Sequence, residues 1–188
     1  MAFKLIESIF TYSRGLQFLH NYKEKPLIHG DIKPDNILLD ETFVPKIADF
    51  GLSREGTTDD KHFEVSRVYG TRPFLPAEFK SQRICSTKVD VFSFGIVLYQ
   101  LGTGYRAFDA NRKPLQFLDK YMQTEGMNIS NQIDKSIPLS NEWIHLYKQF
   151  TSLARLCTAQ NPLQRPEMEI VFKNIASYTK LLFESATF

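Results

Sequence analysis

His29-Gly30-Asp31-Ile32-Lys33-Pro34-Asp35-Asn36, with Asp49-Phe50-Gly51 thirteen residues further on, is the stretch that decides how this chain reads. Three acceptor or metal-binding side chains, Asp31, Asn36 and Asp49, fall close together, with Lys33 among them. Between them lie two short apolar runs, Ile37-Leu38-Leu39 and Val44 to Ala48, separated by the turn-forming residues Asp40-Glu41-Thr42. This pattern predicts a β-hairpin whose paired residue numbers sum to about 85, which sets Asn36 opposite Asp49 at its open end. Hard oxygen ligands at such a place suit Mg²⁺. Asp31 precedes the hairpin by a turn's length and can face the same space. Each of Asp31, Asp35, Asn36 and Asp40 taken singly is also an ordinary turn residue. The joint spacing is what points to chemistry: a carboxylate for a hydroxyl proton, ligands for a nucleotide-bound cation, and a lysine for a moving phosphate.

Around this stretch the chain reads as mainly α with one small β-hairpin. Leu5, Ile6, Ile9, Leu16 and Leu19 recur at helical spacing, predicting a helix over 3–20 that ends at Lys23-Glu24-Lys25-Pro26. Residues 52–69 are polar and without period, predicting an exposed, mobile segment. Ser86 to Asp90 reads as a capped helix start with a Thr-x-x-Asp box, opening a helix to about Leu101 that is apolar on most sides and therefore buried. Gly102-Thr103-Gly104 follows that helix and reads as its stop. Leu115 to Met122 predicts a short helix, and Trp143, Leu146, Tyr147, Phe150, Leu153 and Cys157 form a core-facing stripe. Pro166 is expected as the first-turn proline of a last helix through Ile170, Phe172, Ile175 and Leu182.

Composition narrows the class. The 188 residues, 43% hydrophobic and carrying a formal charge of +2, suit one domain with a real core. Basic and acidic residues are interspersed, so neither nucleic acid nor an anionic membrane is implied as a partner. The two cysteines, Cys85 and Cys157, have no metal-ligand spacing and are expected as free thiols in a reducing, cytoplasmic setting. Met1 to Phe10 contains Lys4 and Glu7 and is no secretory signal, and Val91 to Leu101 is too short to span a bilayer. Asn128-Ile129-Ser130 matches a glycosylation acceptor that a cytoplasmic chain would not use.

The motifs resemble those of eukaryotic protein kinases: the catalytic loop at 29–36 and the magnesium loop at 49–51. Gly70-Thr71-Arg72-Pro73-Phe74-Leu75-Pro76-Ala77-Glu78 resembles the end of an activation segment spanning 49–78. Asp90-Val91-Phe92-Ser93-Phe94-Gly95 resembles the start of the central large-lobe helix, and Asn161 to Pro166 the loop that supplies a buried arginine. The wording of these segments is similar to the Pelle and interleukin-receptor-associated kinase family. The resemblance implies a kinase-like C-terminal lobe over 1–188, with ATP and Mg²⁺ as cofactors. It implies Asp31 and Lys33 as catalytic residues, Lys33, Asn36 and Asp49 as cofactor-binding and Asn36 and Asp49 as metal-binding. His29, Phe50, Gly51, Thr71, Glu78, Asp90 and Arg165 take structural or regulatory places. His29 is expected to pack rather than to move protons, Glu78 and Arg165 to form a buried ion pair, and Asp90 either to cap its helix or to reach back to the catalytic loop. Lys33, two residues after Asp31, resembles serine/threonine rather than tyrosine kinases. A protein substrate and, for this family, recruitment by death-domain adaptors of Toll-type receptors are further implications.

Departures from the family pattern carry expectations of their own. Gly30 stands where most kinases have arginine, which removes one contact to a phosphorylated activation segment. Phosphorylation at Thr57, Thr58 or Ser66, with Arg54 or Arg67 as partners, is still expected. Pro76-Ala77-Glu78 inverts the usual Ala-Pro-Glu order but keeps the glutamate. The 28 residues ahead of His29 contain no glycine-rich loop and no strand lysine, so the chain is expected to be a large lobe alone, exposing apolar surface. A non-catalytic kinase-like interaction module is the competing reading, and the intact Asp31, Lys33, Asn36 and Asp49 weigh against it.

Overall fold

A computed structural model describes residues 2–57, 62–124, 132–134 and 140–185. The fold is built round one buried helix. In order the elements are α1 (Ala2–His20), β1 (Leu27–Ile28), β2 (Ile37–Leu39), β3 (Pro45–Ile47), β4 (Arg54–Glu55), β5 (Phe63–Glu64), α2 (Ala77–Gln82), β6 (Ile84–Cys85), α3 (Thr87–Thr103), α4 (Leu118–Met122), α5 (Asn141–Cys157) and α6 (Met168–Ser185). Single 3₁₀ turns cover Pro34–Asn36, Phe50–Leu52, Arg72–Phe74 and Pro162–Gln164.

Helix α3 is apolar all round and buries Val89 through Tyr99 without interruption. Such a helix has no solvent face and must be surrounded. Helices α4 and α5 pack on it, while α1 lies between α6 and the β2–β3 hairpin. Ile6, Ile9, Leu16 and Leu19 of α1, Phe94 and Leu98 of α3, Leu153 and Cys157 of α5, and Val171 and Ile175 of α6 share one core. A second, smaller core joins Ile28, Leu75, Phe79, Cys85 and Val89 beneath residues 63–69. Both cysteines are buried free thiols, and burial pushes Cys85 up to about 11 and Cys157 up to about 12.

Local chemistry moves several boundaries from where the sequence pattern set them. The hairpin pairs Ile37 with Ile47, Leu38 with Lys46 and Leu39 with Pro45, so the numbers sum to 84 and not 85. The turn explains the shift. Asp40 Oδ1 accepts from the amides of Thr42 and Val44 and from the Thr42 hydroxyl, and Phe43 takes a left-handed φ of 66°. The loop therefore centres on Thr42. These donors, the Thr42 hydroxyl foremost, hold the Asp40 carboxyl down to about 2.

The helix caps shift too. Ser86, not Thr87, caps α3 by accepting from the Lys88 amide, and Asp90 leaves its own helix end entirely. Gly104, at φ 69°, ends α3 and donates its amide to Gln100 O. Pro166 lies two residues ahead of α6, whose first carbonyl acceptor is Glu167. Helix α4 begins at Leu118, leaving Leu115 outside it. Residues 52–69 hold two short strands where the sequence shows no period. Strand β4 pairs with β1 and β5 with β6, so the described residues hold three two-stranded sheets rather than one hairpin. Two-residue strands carry too few positions for a period of two to be legible. Thr58 and the Asn128-Ile129-Ser130 motif lie outside the described residues.

Leu38, Leu39 and Phe43 on the hairpin and Phe50 after it are 57%, 54%, 50% and 45% exposed. Beside them a largely apolar groove of about 580 Å³ opens between α1, the hairpin and α3. No helix among the described residues is long and apolar enough to cross a membrane.

Candidate active site

The loop between β1 and β2 is held from below by α3. Asp90 Oδ1 accepts the Gly30 amide at 2.8 Å and Oδ2 accepts the His29 amide at 2.8 Å. His20, at the end of α1, donates Nε2–H to Asp90 Oδ2 at 3.0 Å. Asp90 is fully buried, so these three donors replace the hydration that its charge has lost. Of the two roles open to Asp90, reaching back to the loop is the one the structure shows.

His29 is also fully buried. Its Nδ1 accepts from the Asp31 amide at 3.3 Å, which places the proton on Nε2 for donation to Ala48 O at 3.0 Å. Its ring meets the Phe50 ring edge-on, with centroids 5.0 Å apart. One imidazole thus ties the segment at 29–31 to the segment at 48–50. Gly30 takes φ 79°, and a Cβ there would stand 2.9 Å from Tyr69 Cε2. Glycine is required by the backbone turn and by the ring above it.

Asp31 is the centre of the site. Thr71 donates to its Oδ1 twice, from the backbone amide at 2.8 Å and from the hydroxyl at 2.7 Å. Asn36 Nδ2 reaches its Oδ2 at 3.1 Å and its backbone carbonyl at 2.9 Å. Lys33 Nζ lies 2.9 Å from Oδ2 and donates to Thr71 Oγ1 at 2.7 Å. Burial opposes ionisation of Asp31. The hydrogen bonds from Lys33 and Thr71, with the Lys33 charge, outweigh it and hold the carboxyl below the usual carboxylate range. A carboxylate has about four acceptor positions. Two amides, a hydroxyl and an ammonium fill them.

Asn36 and Asp49 do not face each other across the ladder. Asn36 O accepts the Ala48 amide at 3.0 Å, and Asp49 follows one residue beyond. The register of 84 is the cause. Asp49 takes a left-handed φ of 64°, a conformation aspartate tolerates better than most residues, and its Oδ1 accepts the Gly51 amide at 3.3 Å. Asn36 spends its amide hydrogens on Asp31, and among the described residues nothing donates to its Oδ1. The site therefore leaves an amide oxygen and an exposed carboxylate, hard donors of the kind Mg²⁺ prefers when it keeps waters and phosphate oxygens as its other ligands. Among the described residues no group of three or more His, Cys, Asp or Glu is arranged to hold a metal ion.

Glu78 and Arg165 sit away from this centre and meet in a buried, two-pronged pair. Arg165 Nη1 is 2.5 Å from Glu78 Oε1 and Nη2 is 3.0 Å from Oε2. Arg165 also donates Nε–H to Ala159 O at 2.8 Å and Nη1–H to Lys88 O at 3.1 Å. The pair locks the start of α2 to the approach of α6.

Two residues that sequence reasoning passed over complete this frame. His20 holds the third donor position on Asp90, and Ser93 donates to Phe74 O at 2.8 Å, fixing the turn after Thr71 to α3. Neither carries a sequence signal: a lone histidine at a helix end and a serine within an apolar helix have many uses.

The family model described as "Protein kinase domain" matches residues 4–175. The chain is 41% identical over 172 residues to the serine/threonine-protein kinase pelle of Drosophila melanogaster, a match covering 88% of this chain and 34% of that protein. It is 47% identical over 105 residues to the Pelle-like serine/threonine-protein kinase pik-1 of Caenorhabditis elegans, covering 53% of this chain and 22% of that protein. Calmodulin-binding receptor-like cytoplasmic kinase 3 of Arabidopsis thaliana is 34% identical over 173 residues, covering 90% of this chain and 34% of that protein. The chain thus spans about a third or less of the length of these curated relatives.

Proposed function

This chain belongs to the protein kinase domain family, and on that premise we propose that it is the large lobe, over residues 1–188, of a serine/threonine kinase that transfers the γ-phosphate of ATP to protein hydroxyls. The observation that carries the reading is the bonding of Asp31, whose carboxylate is kept ionised and aimed by Thr71, Lys33 and Asn36.

Asp31 orients the acceptor hydroxyl and takes its proton. Its acceptor positions are filled when no substrate is bound, so an incoming hydroxyl must displace one donor. Thr71 bonds Asp31 through its backbone amide and Asn36 is fixed by a second bond to the Asp31 carbonyl, whereas Lys33, which also donates to Thr71 Oγ1, reaches the carboxylate from the end of a flexible stem. Displaced, the Lys33 ammonium is free to meet a phosphate oxygen as a point charge. Asn36 Oδ1 and the Asp49 carboxylate would hold the magnesium ion, which when bound supplies positive charge to the nucleotide phosphates. Most of the work asked of these residues is placement and charge compensation, as a loose phosphoryl transition state requires.

The similarity to pelle, in which the matched region is about a third of the protein, supports a serine/threonine kinase, and the similarity to a receptor-like cytoplasmic kinase supports a cytoplasmic one. By family resemblance its adaptors would be death-domain proteins of Toll-type receptors in innate immune signalling, with recruitment to receptor complexes at the plasma membrane. Thr57 and Ser66 are exposed and are the described candidates for regulatory phosphorylation.

The test is transfer of labelled γ-phosphate to serine peptides by a protein in which this lobe is joined to a kinase small lobe. Asp31→Ala should lower turnover by at least about 10²-fold. Undiminished turnover would reject Asp31 as the catalytic residue, and no transfer by the parent two-lobe protein would favour a non-catalytic interaction module.

A further inference from the structure

Arg72 follows Thr71, the residue bound twice to the Asp31 carboxylate, so its Cα lies about 3.8 Å from that of Thr71. Its backbone is held on both sides. Thr71 is tied to Asp31, the Phe74 amide donates to Thr71 O at 2.9 Å, the Leu75 amide donates to Arg72 O at 3.2 Å, and Phe74 O is held by Ser93 of α3. Phe74 and Leu75 are buried, which leaves Arg72 as the exposed residue of a rigid turn. Among the described residues its guanidinium makes no hydrogen bond and no ion pair. Arg83, just past the activation segment, differs: it pairs with Glu64 at 2.7 Å.

The surroundings do not neutralise Arg72. Lys80, on α2, lies over the Phe117 ring at 5.5 Å, and burial followed by the positive charges of Arg72 and Lys120 depresses it, with Asp119 and Glu78 opposing. On the other side of Thr71 stands Lys33, whose charge is already spent on Asp31. An arginine on a rigid backbone, with no partner for its guanidinium among the described residues and one residue from the ligand of the Asp31 carboxylate, is placed to read charge on whatever polypeptide presents its hydroxyl there.

We propose that Arg72 is a specificity-determining residue that selects acceptor peptides carrying an acidic or phosphorylated side chain within two residues of the target serine or threonine. The inference rests on the kinase reading above, since Asp31 marks where the hydroxyl sits. One extended residue spans about 3.3–3.6 Å, so an arginine side chain anchored beside Thr71 covers roughly that window. Guanidinium geometry suits a carboxylate and, more strongly, a phosphate through two parallel hydrogen bonds.

The experiment measures binding to this chain by fluorescence anisotropy at low salt. The probes are labelled serine peptides with Asp, Asn or phosphoserine placed in turn at each of the two positions on either side of the target. Asp at one position should tighten binding about threefold to fivefold over Asn, the range of an exposed ion pair, and phosphoserine should exceed it. Raising the salt should erase most of the gain. R72A should abolish the preference, and R72E should reverse it toward peptides bearing Lys at the same position. Arg72 is exposed, so circular dichroism should show both variants folded. Equal binding of Asp and Asn peptides at every position, a preference that survives R72A, or no binding by any peptide overturns the proposal. Phosphoryl transfer by the two-lobe protein is measured alongside. Transfer without a charge preference sinks this inference alone, whereas a charge preference without transfer sinks the kinase reading and leaves Arg72 as a peptide-binding residue.

Discussion

Asp90 and Gly30 are 60 residues apart in the chain and 2.8 Å apart in space, joined by the glycine's amide and the aspartate's Oδ1. The bond couples the most buried helix of the lobe to the loop that carries Asp31. Because the same carboxylate also serves His29 and His20, its removal strands three buried donors.

Asp90→Ala should therefore cost about 3 kcal/mol or more, since each orphaned buried donor costs about 1–3 kcal/mol. Asp90→Asn, which keeps one carbonyl acceptor, should fall between it and the parent. Urea unfolding followed by far-ultraviolet circular dichroism measures both. A loss under about 1 kcal/mol for the alanine variant would mean that water or a neighbour serves those donors just as well.

The Glu78–Arg165 pair predicts an asymmetry between single and double changes. Glu78→Ala leaves a guanidinium that is almost wholly buried without its partner, and should cost about 3–5 kcal/mol. The double variant Glu78→Leu with Arg165→Met removes both charges and should lose less than Glu78→Ala, although it gives up the bonds to Ala159 and Lys88. Unfolding midpoints in urea decide the order, and a double variant worse than either single one would refute this account of the pair.

Asp31 has a folded-state pKa below its unfolded value, so the sign is that of a stabilising ionised acid. Its contribution is fully present above the ordinary carboxylate value of about 3.9 and is lost as pH falls through the lower folded value. The stability difference between the parent and Asp31→Asn should hence be flat from pH 7 to about 5 and change in the parent's disfavour below about 3.9. The Asp31 carboxylate should likewise remain a base at pH 5 in phosphoryl transfer. Carbon-13 NMR titration of the Asp31 carboxyl checks the premise directly: a midpoint above the ordinary value would contradict it.

Gly70 takes φ 88°, and a Cβ there would stand 2.6 Å from Gly30 O. The obstacle is backbone, so it cannot rotate away. Gly70→Ala should cost about 1–2 kcal/mol from the left-handed conformation alone, with the carbonyl contact added to that. It should also pull Thr71 off Asp31 and lower turnover in the two-lobe protein. Unchanged melting temperature and unchanged turnover together would show that the loop tolerates another backbone path.

Much of the helical frame is readable along the chain because burial imposes a period. The α1 stripe, the all-round apolar α3 and the α5 stripe repeat over many turns, so single exceptions do not obscure them. Short-range details were less legible. The hairpin register slipped by one because Asp40 gathers three donors and moves the turn centre to Thr42. Strands β4 and β5 each have two residues, too few for alternation to show. Pro166 sits ahead of α6 because Glu167 supplies the first carbonyl acceptor.

What the amino-acid order determined by itself was the inventory: Asp31, Lys33, Asn36 and Asp49 at spacings that suit phosphate chemistry, and helices whose apolar faces must be covered. Only the tertiary structure decided who holds whom. Thr71 on Asp31, Asp90 under Gly30 and Arg165 against Glu78 span 40, 60 and 87 residues. Local periodicity and propensity act over a few residues, whereas a buried charge must find its donors wherever folding brings them, so those partnerships are set by burial and not by neighbourhood in the chain.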